Sequence, residues 1–278
     1  MDILRYTFFQ NALWGSFFIA VACGMIGTYI VSRRLVFVSG GITHASFGGL
    51  GLGFYLGIHP FLSALFFAVL SALGVEWVSK SQHVREDSAI AAVWSLGMAI
   101  GVVCIVQTPG YAPNLSSYLF GNILTISQTD ILWTALFALI LFAAYLFLYR
   151  EILYSAFDRD FARTQGVPVK FIEYLMTMFI AVTIVLSIRL VGIMLLMSLL
   201  TVPQMTINLF TSNFKRIIFG SVLLGFFACV AGLFLSYLFQ IPSGAFIIIV
   251  LTVCFLSAKG YLSLRRKMRK AASPVKRS

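Results

Sequence analysis

Acid is what this chain has least of. Only nine of its 278 residues are Asp or Glu, against 20 Lys and Arg, and none lies beyond Glu173. No carboxylate falls in the middle of an apolar run; Glu76 comes nearest, close to the end of one. A proton relay or sodium site built from buried carboxylates therefore has almost no material, which counts against an ion-coupled carrier. There is no GxxxxGK[ST] phosphate loop, so ATP hydrolysis is not expected of this chain. The four cysteines, Cys23, Cys104, Cys229 and Cys254, lie in apolar runs without CxxC spacing and read as small hydrophobes, neither disulfide framework nor zinc site. Charged residues make up 10% of the chain and hydrophobic ones 60%, which excludes a water-soluble globule and leaves no room for a soluble domain beside the spans.

What is present is a series of apolar runs long enough to cross a bilayer, for which about 20 helical residues suffice. They fall at about 11–32, 37–57, 61–79, 89–106, 131–149, 171–188, 190–211, 217–239 and 245–262, giving nine spans, or eight if the seventh is broken or re-entrant. Pro203 is expected to kink or break that seventh run, because proline has no N–H for the carbonyl four residues back. A charge-poor segment, 107–129, separates the fourth and fifth. The first run is too long for a cleaved signal, and its arginines follow it, so it is read as a span.

The net charge of +11 is placed by topology and does not suggest nucleic acid. Arg33 and Arg34, Lys80 and Arg85, Arg150 to Lys170, Lys215 and Arg216, and the tail from Lys259 occupy every second connection. Only Arg5 and Arg189 depart from this positive-inside pattern, which puts the basic tail (263–278) and the C-terminus in the cytoplasm. The fold class is therefore an all-α polytopic membrane protein, one transmembrane domain over 1–278.

Two stretches carry candidate chemistry. In the second run, Gly41, Ala45, Gly49, Gly53 and Gly57 recur every fourth residue, a smooth helical stripe that lets another backbone approach closely. His44 lies beside it, the one ionisable side chain well inside the run, and at that depth it marks a pathway or a buried partner. In the connection 150–170, Asp158 is placed to cap a short helix, Gly166 to end it in the left-handed C′ position, and Pro168 to prevent continuation. That helix, about 158–166, carries Asp160, Phe161 and Ala162 on a basic loop, as a knob suited to a groove on a soluble partner.

The chain resembles the membrane permeases of ATP-binding-cassette (ABC) importers for zinc, manganese and iron. The resemblance rests on RRLVFVSGGITHASFGGLGLG (33–53), EDSAIAAVWSLGMAIG (86–101), SYLFGNIL (117–124), FDRDFARTQGVPV (157–169), VGIMLLMSLLTVPQMT (191–206) and IPSGA (241–245), in that order. It implies the many-helix type II fold shared with cobalamin and siderophore importers, in a bacterial-type cytoplasmic membrane. It also implies a second permease copy, two ATPase subunits meeting the 158–166 helix, and an external metal-binding protein. The chain would then be no enzyme itself, its cargo a divalent metal ion passing His44, and its glycine-lined spans and Pro203 the parts that slide or bend. The family often has Asp four residues before this histidine; here Gly40 stands there, which leans toward zinc over the oxygen-seeking manganese. Met194, Met197 and Met205 read as packing. A permease for a metal chelate, siderophore or corrinoid is the alternative within the class.

Overall fold

The computed structural model describes residues 6–81, 85–109, 121, 123 and 126–272. Ten helices account for nearly all of them: α1 (Thr7–Ser32), α2 (Val36–Leu56), α3 (Pro60–Ser81), α4 (Glu86–Gln107), α5 (Gln128–Phe147), α6 (Tyr149–Phe157), α7 (Arg159–Thr164), α8 (Val169–Asn208), α9 (Phe214–Phe239) and α10 (Ser243–Ala272). SYLFGNIL lies outside the described residues except for Gly121 and Ile123, as does the end of the basic tail.

Six helices are long and apolar enough to cross a membrane by length and composition: α1, α4, α5, α8, α9 and α10. In α2 six glycines, two serines, a threonine and His44 dilute the hydropathy, and α3 is apolar over Pro60–Val75. At about 1.5 Å per residue the 40 residues of α8 would span roughly 60 Å if straight, about twice a bilayer's hydrocarbon core.

Within α8 the backbone leaves the helical region at one residue, Gly192 (φ 76, ψ 166). Only glycine adopts such a conformation readily. Both ends of α8 lie at the same end of the bundle. Near its start Glu173 is ion-paired with Arg33 at the end of α1. Just past its finish, Phe214 packs on Tyr149 and Phe157 of α6, whose Ser155 accepts from Arg33. At the opposite end, Arg189 pairs with Asp130 in the first turn of α5, and Gly121 (φ 66) lies against the Val191–Gly192 peptide. The two halves of α8 therefore run antiparallel about Gly192.

The sixth and seventh apolar runs correspond to these halves, but the expected break at Pro203 is corrected: no non-helical residue other than Gly192 interrupts α8, which carries on through Pro203 to Asn208. The reason is Gln204. Pro203 leaves the Leu199 carbonyl without its helical donor, and the buried Gln204 amide supplies one, Nε2 donating to Leu199 O at 3.1 Å. The same nitrogen donates to Cys23 O of α1 at 2.8 Å. Its approach requires Gly27, since any Cβ there would collide with the Gln204 side chain and Leu200 O.

The core follows from this doubling. α1 and α8 are mostly buried and form the centre of the bundle, while α4, α5 and α10 turn most of their apolar surface outward. Tyr145 of α5 closes one flank, its hydroxyl donating to Met25 O of α1 at 2.9 Å. The exposed Phe, Leu and Trp side chains of α3, α5 and α10 suit lipid as their solvent.

Candidate metal pathway and coupling helix

α2 lies between α3 and α4, and its small residues determine how closely. Ala45 is fully buried against Gly97 of α4, where a Cβ would lie 2.5 Å from the Ala45 Cα. Gly48 meets Gly97 O and Gly51 meets Gly101, so glycine faces glycine across the α2–α4 contact. On the other flank Gly49 fits against Ser63 O and Ala64 of α3, and Gly53 against Pro60. Gly41 is covered by Ile90. The stripe stops there: Gly57 has open space around it and instead caps α2 in the left-handed region (φ 67), a conformation for which glycine is the usual residue. Its inclusion in the packing stripe is corrected on that ground.

Close packing of α2 on α4 fixes the surroundings of His44. Its imidazole stacks on the indole of Trp94, centroids 4.1 Å apart and planes within 10°. The ring is half-buried, and its Nδ1 is shielded with no hydrogen-bond partner among the described residues. One turn earlier, the place of Gly40 is covered by the Met197 methyl, 3.1 Å from where a Cβ would stand. An aspartate at position 40 would have to displace Met197. Among the described residues no three His, Cys, Asp or Glu side chains come together as a closed metal site. A single imidazole held flat by an indole offers ring nitrogens but does not by itself make a closed metal site.

The second candidate feature lies at the Arg33 end of the bundle. Asp158 accepts from the N–H groups of Asp160 (2.9 Å) and Phe161 (3.0 Å), which starts α7. Asp160 pairs with Arg163 at 3.0 Å. The helix ends in a Schellman turn: Gly166 N–H donates to Arg163 O, Val167 N–H to Ala162 O, and Gly166 takes φ 75. Pro168 then becomes the N-cap of α8. Ala162 is fully buried, while Phe161 stays half-exposed, its ring edge-on to Tyr154. One face of α7 is thus anchored and the other is presented outward.

Sequence reasoning brought His44 and the residues of α7 forward but left out the groups that hold them. Trp94 had no local mark beyond its motif. Gln204 carried a signal, since a polar amide directly after a proline in an apolar run has few uses besides repairing the helix. Glu173 carried another, as the last acid of the chain, four residues into an apolar helix.

A bundle of membrane-length apolar helices with glycine-faced contacts defines an all-helical polytopic membrane protein. The comparisons specify which kind. The chain belongs to the ABC 3 transport family, whose model matches residues 5–261. It is 37% identical over 256 residues to an uncharacterized membrane protein of Synechocystis, covering 92% of this chain and 91% of that one. It is 31% identical over 257 residues to the manganese transport system membrane protein MntC of Halalkalibacterium halodurans, covering 92% and 88%. Among solved structures, a chain of PsaBC from Streptococcus pneumoniae, in complex with a Fab, superposes with a TM-score of 0.86 at 28% identity, covering 95% of this chain and 97% of that one.

Proposed function

We propose that this chain is the membrane-spanning subunit of an ATP-driven importer for a divalent transition metal ion. The observation that carries the reading is membership of the ABC 3 transport family across nearly the whole chain, supported by likeness to a manganese transport system membrane protein. In this reading the chain makes nine passes: α1 to α5, the two halves of α8, α9 and α10, in a type II arrangement. The Arg33 end, with α6, α7 and the basic tail, faces the cytoplasm, as the positive-inside rule requires. There α7 meets a separate ATPase subunit, and an external metal-binding protein delivers the ion at the Asp130–Arg189 end. A second copy of the chain completes the pathway and brings a second His44 toward it.

Manganese is the first cargo to test, because relatives with this coverage are named for it. Zinc is the second reading, favoured by an imidazole with Gly40 in place of a carboxylate one turn away. Uptake of each ion by cells carrying the parental chain or His44→Gln decides both matters. The glutamine keeps the approximate size and removes the imidazole. Loss of uptake of one ion, at unchanged abundance of the assembled complex, is the expected outcome and names the cargo. Parental uptake of both ions by His44→Gln would remove His44 from the pathway.

A further inference from the structure

One carboxylate ties α7 to the two central helices. Glu173 Oε1 accepts from Arg33 Nη2 at 2.7 Å and is ion-paired with Arg159, whose Nε lies 2.6 Å away. Arg159 is the first residue of α7, and Arg33 is the C-cap of α1. Arg33 also donates through Nη1 to Ser155 O of α6 at 3.0 Å. Its side chain is only 11% exposed, and its Nε has no hydrogen-bond partner among the described residues; Glu173 and the Ser155 carbonyl compensate it, with the Tyr29 side chain also beside it. No acid follows Glu173 in the chain, so nothing in α8, α9 or α10 can take its place.

The placement gives the cluster a direction. Glu173 lies in the second turn of α8, and the far half of that helix lays Met197 over Gly40, one turn from His44. Space exists for the cluster to move as well. A cavity of about 450 Å³, lined by Tyr29, Arg33, Arg159 and Glu173, opens on one side. A second, of about 540 Å³, is lined by the same two arginines with Asp87 and Asp158. Through this one carboxylate the start of α7 is connected to the end of α1 and to the second turn of α8. The turn through Gly166 and Pro168 already joins α7 to α8 along the chain; the shared carboxylate adds a charge-assisted tie that also takes in α1.

We infer that Glu173 is a positioning residue for transport: it transmits movement of α7 to α1 and α8, so that hydrolysis on the cytoplasmic side alters the path beside His44. The inference rests on the reading of α7 as the ATPase contact. It assigns to a single carboxylate what family likeness leaves to the short helix as a whole.

The test uses the assembled complex of permease, ATPase and binding protein in proteoliposomes, with manganese(II) and zinc(II) as the probes, measuring ATP hydrolysis and ion uptake together. In Glu173→Gln, hydrolysis continues while ions moved per ATP fall by about tenfold, within the range that single positions in a coupling network carry. Glu173→Asp, which keeps a carboxylate between the two arginines, recovers part of the ratio. A purely structural role would lower the yield of assembled complex and leave the ratio in the surviving complex unchanged, which overturns the inference. If Glu173→Gln does not assemble, Arg159→Gln leaves the less exposed Arg33–Glu173 pair intact and must show the same fall; a parental ratio there overturns the inference too. Gly166→Val separates the two levels. If it uncouples while Glu173→Gln keeps the parental ratio, the link is wrong and the contact stands. If Gly166→Val transports fully, α7 is not the ATPase contact.

Discussion

Replacing Gln204 with leucine isolates one feature of α8, the use of a side-chain amide in place of a backbone donor. The two carbonyls that Gln204 serves are not equivalent. Cys23 O belongs to the α1 ladder, where the N–H of Gly27, four residues on, already faces it, so the Gln204 bond is an additional one. Losing it costs about 0.6 kcal/mol, the mean for side-chain hydrogen bonds inside membrane proteins. Leu199 O is different, because the residue four on is Pro203 and Gln204 is its replacement donor. Leaving that buried carbonyl unpaired costs about 1–3 kcal/mol. Against this, leucine removes Gln204 Oε1, itself buried without a partner among the described residues, and so recovers about 1 kcal/mol. The sum is a net destabilisation of about 0.6–2.6 kcal/mol, or about 1–5 °C in melting temperature for a chain of this size.

The assay is thermal unfolding in detergent followed by size-exclusion fluorescence, on four proteins: parent, Gln204→Leu, Pro203→Ala, and the double variant. Alanine at 203 restores the N–H that Leu199 O lacks, so Gln204→Leu should cost about 1 kcal/mol less in that background than in the parent. The double-variant cycle is the decisive quantity, because each single change also alters packing. Equal losses with and without Pro203 would refute the assignment of Gln204 as the substitute donor, even if Gln204→Leu alone is destabilising.

Two further outcomes test the site. Gly97→Leu places a side chain where even a Cβ lies 2.5 Å from the Ala45 Cα, so α2 and α4 must part. The cost is about 1–3 kcal/mol or more, read as a lower melting temperature and a loss of membrane-assembled protein, whereas Gly74→Leu, which faces open space, should leave both unchanged. Gly166→Val also meets no neighbour, so its cost of about 1–2 kcal/mol comes from φ 75 alone and falls on the end of α7. Normal melting of the bundle with loss of ATP-driven uptake is the expected pattern, measured on the same purified protein.

The parts legible in the sequence were those coded by neighbours along the chain. Apolar runs of bilayer length mark helices because each must satisfy its own backbone in lipid, and basic residues at alternate connections mark one side of the membrane. The limits of α7 were legible for the same reason: Asp158, Gly166 and Pro168 act on residues within four positions of themselves. The small-residue stripe of α2 was visible as a period, up to Gly53. Beyond these, tertiary structure decided. The chain turns at Gly192 and not at Pro203 because Gln204 repairs one site, while Gly121, from a distant connection, packs on the other. Gly57 looks like one more member of its stripe until the helix is seen to end before it. His44 gains its indole only when Gly97 lets α4 settle on Ala45, and Glu173 gains two arginines from α1 and α7, 140 and 14 residues away in sequence. Such partners are set by how closely helices approach, and that distance depends on both surfaces at once, which no single stretch of sequence contains.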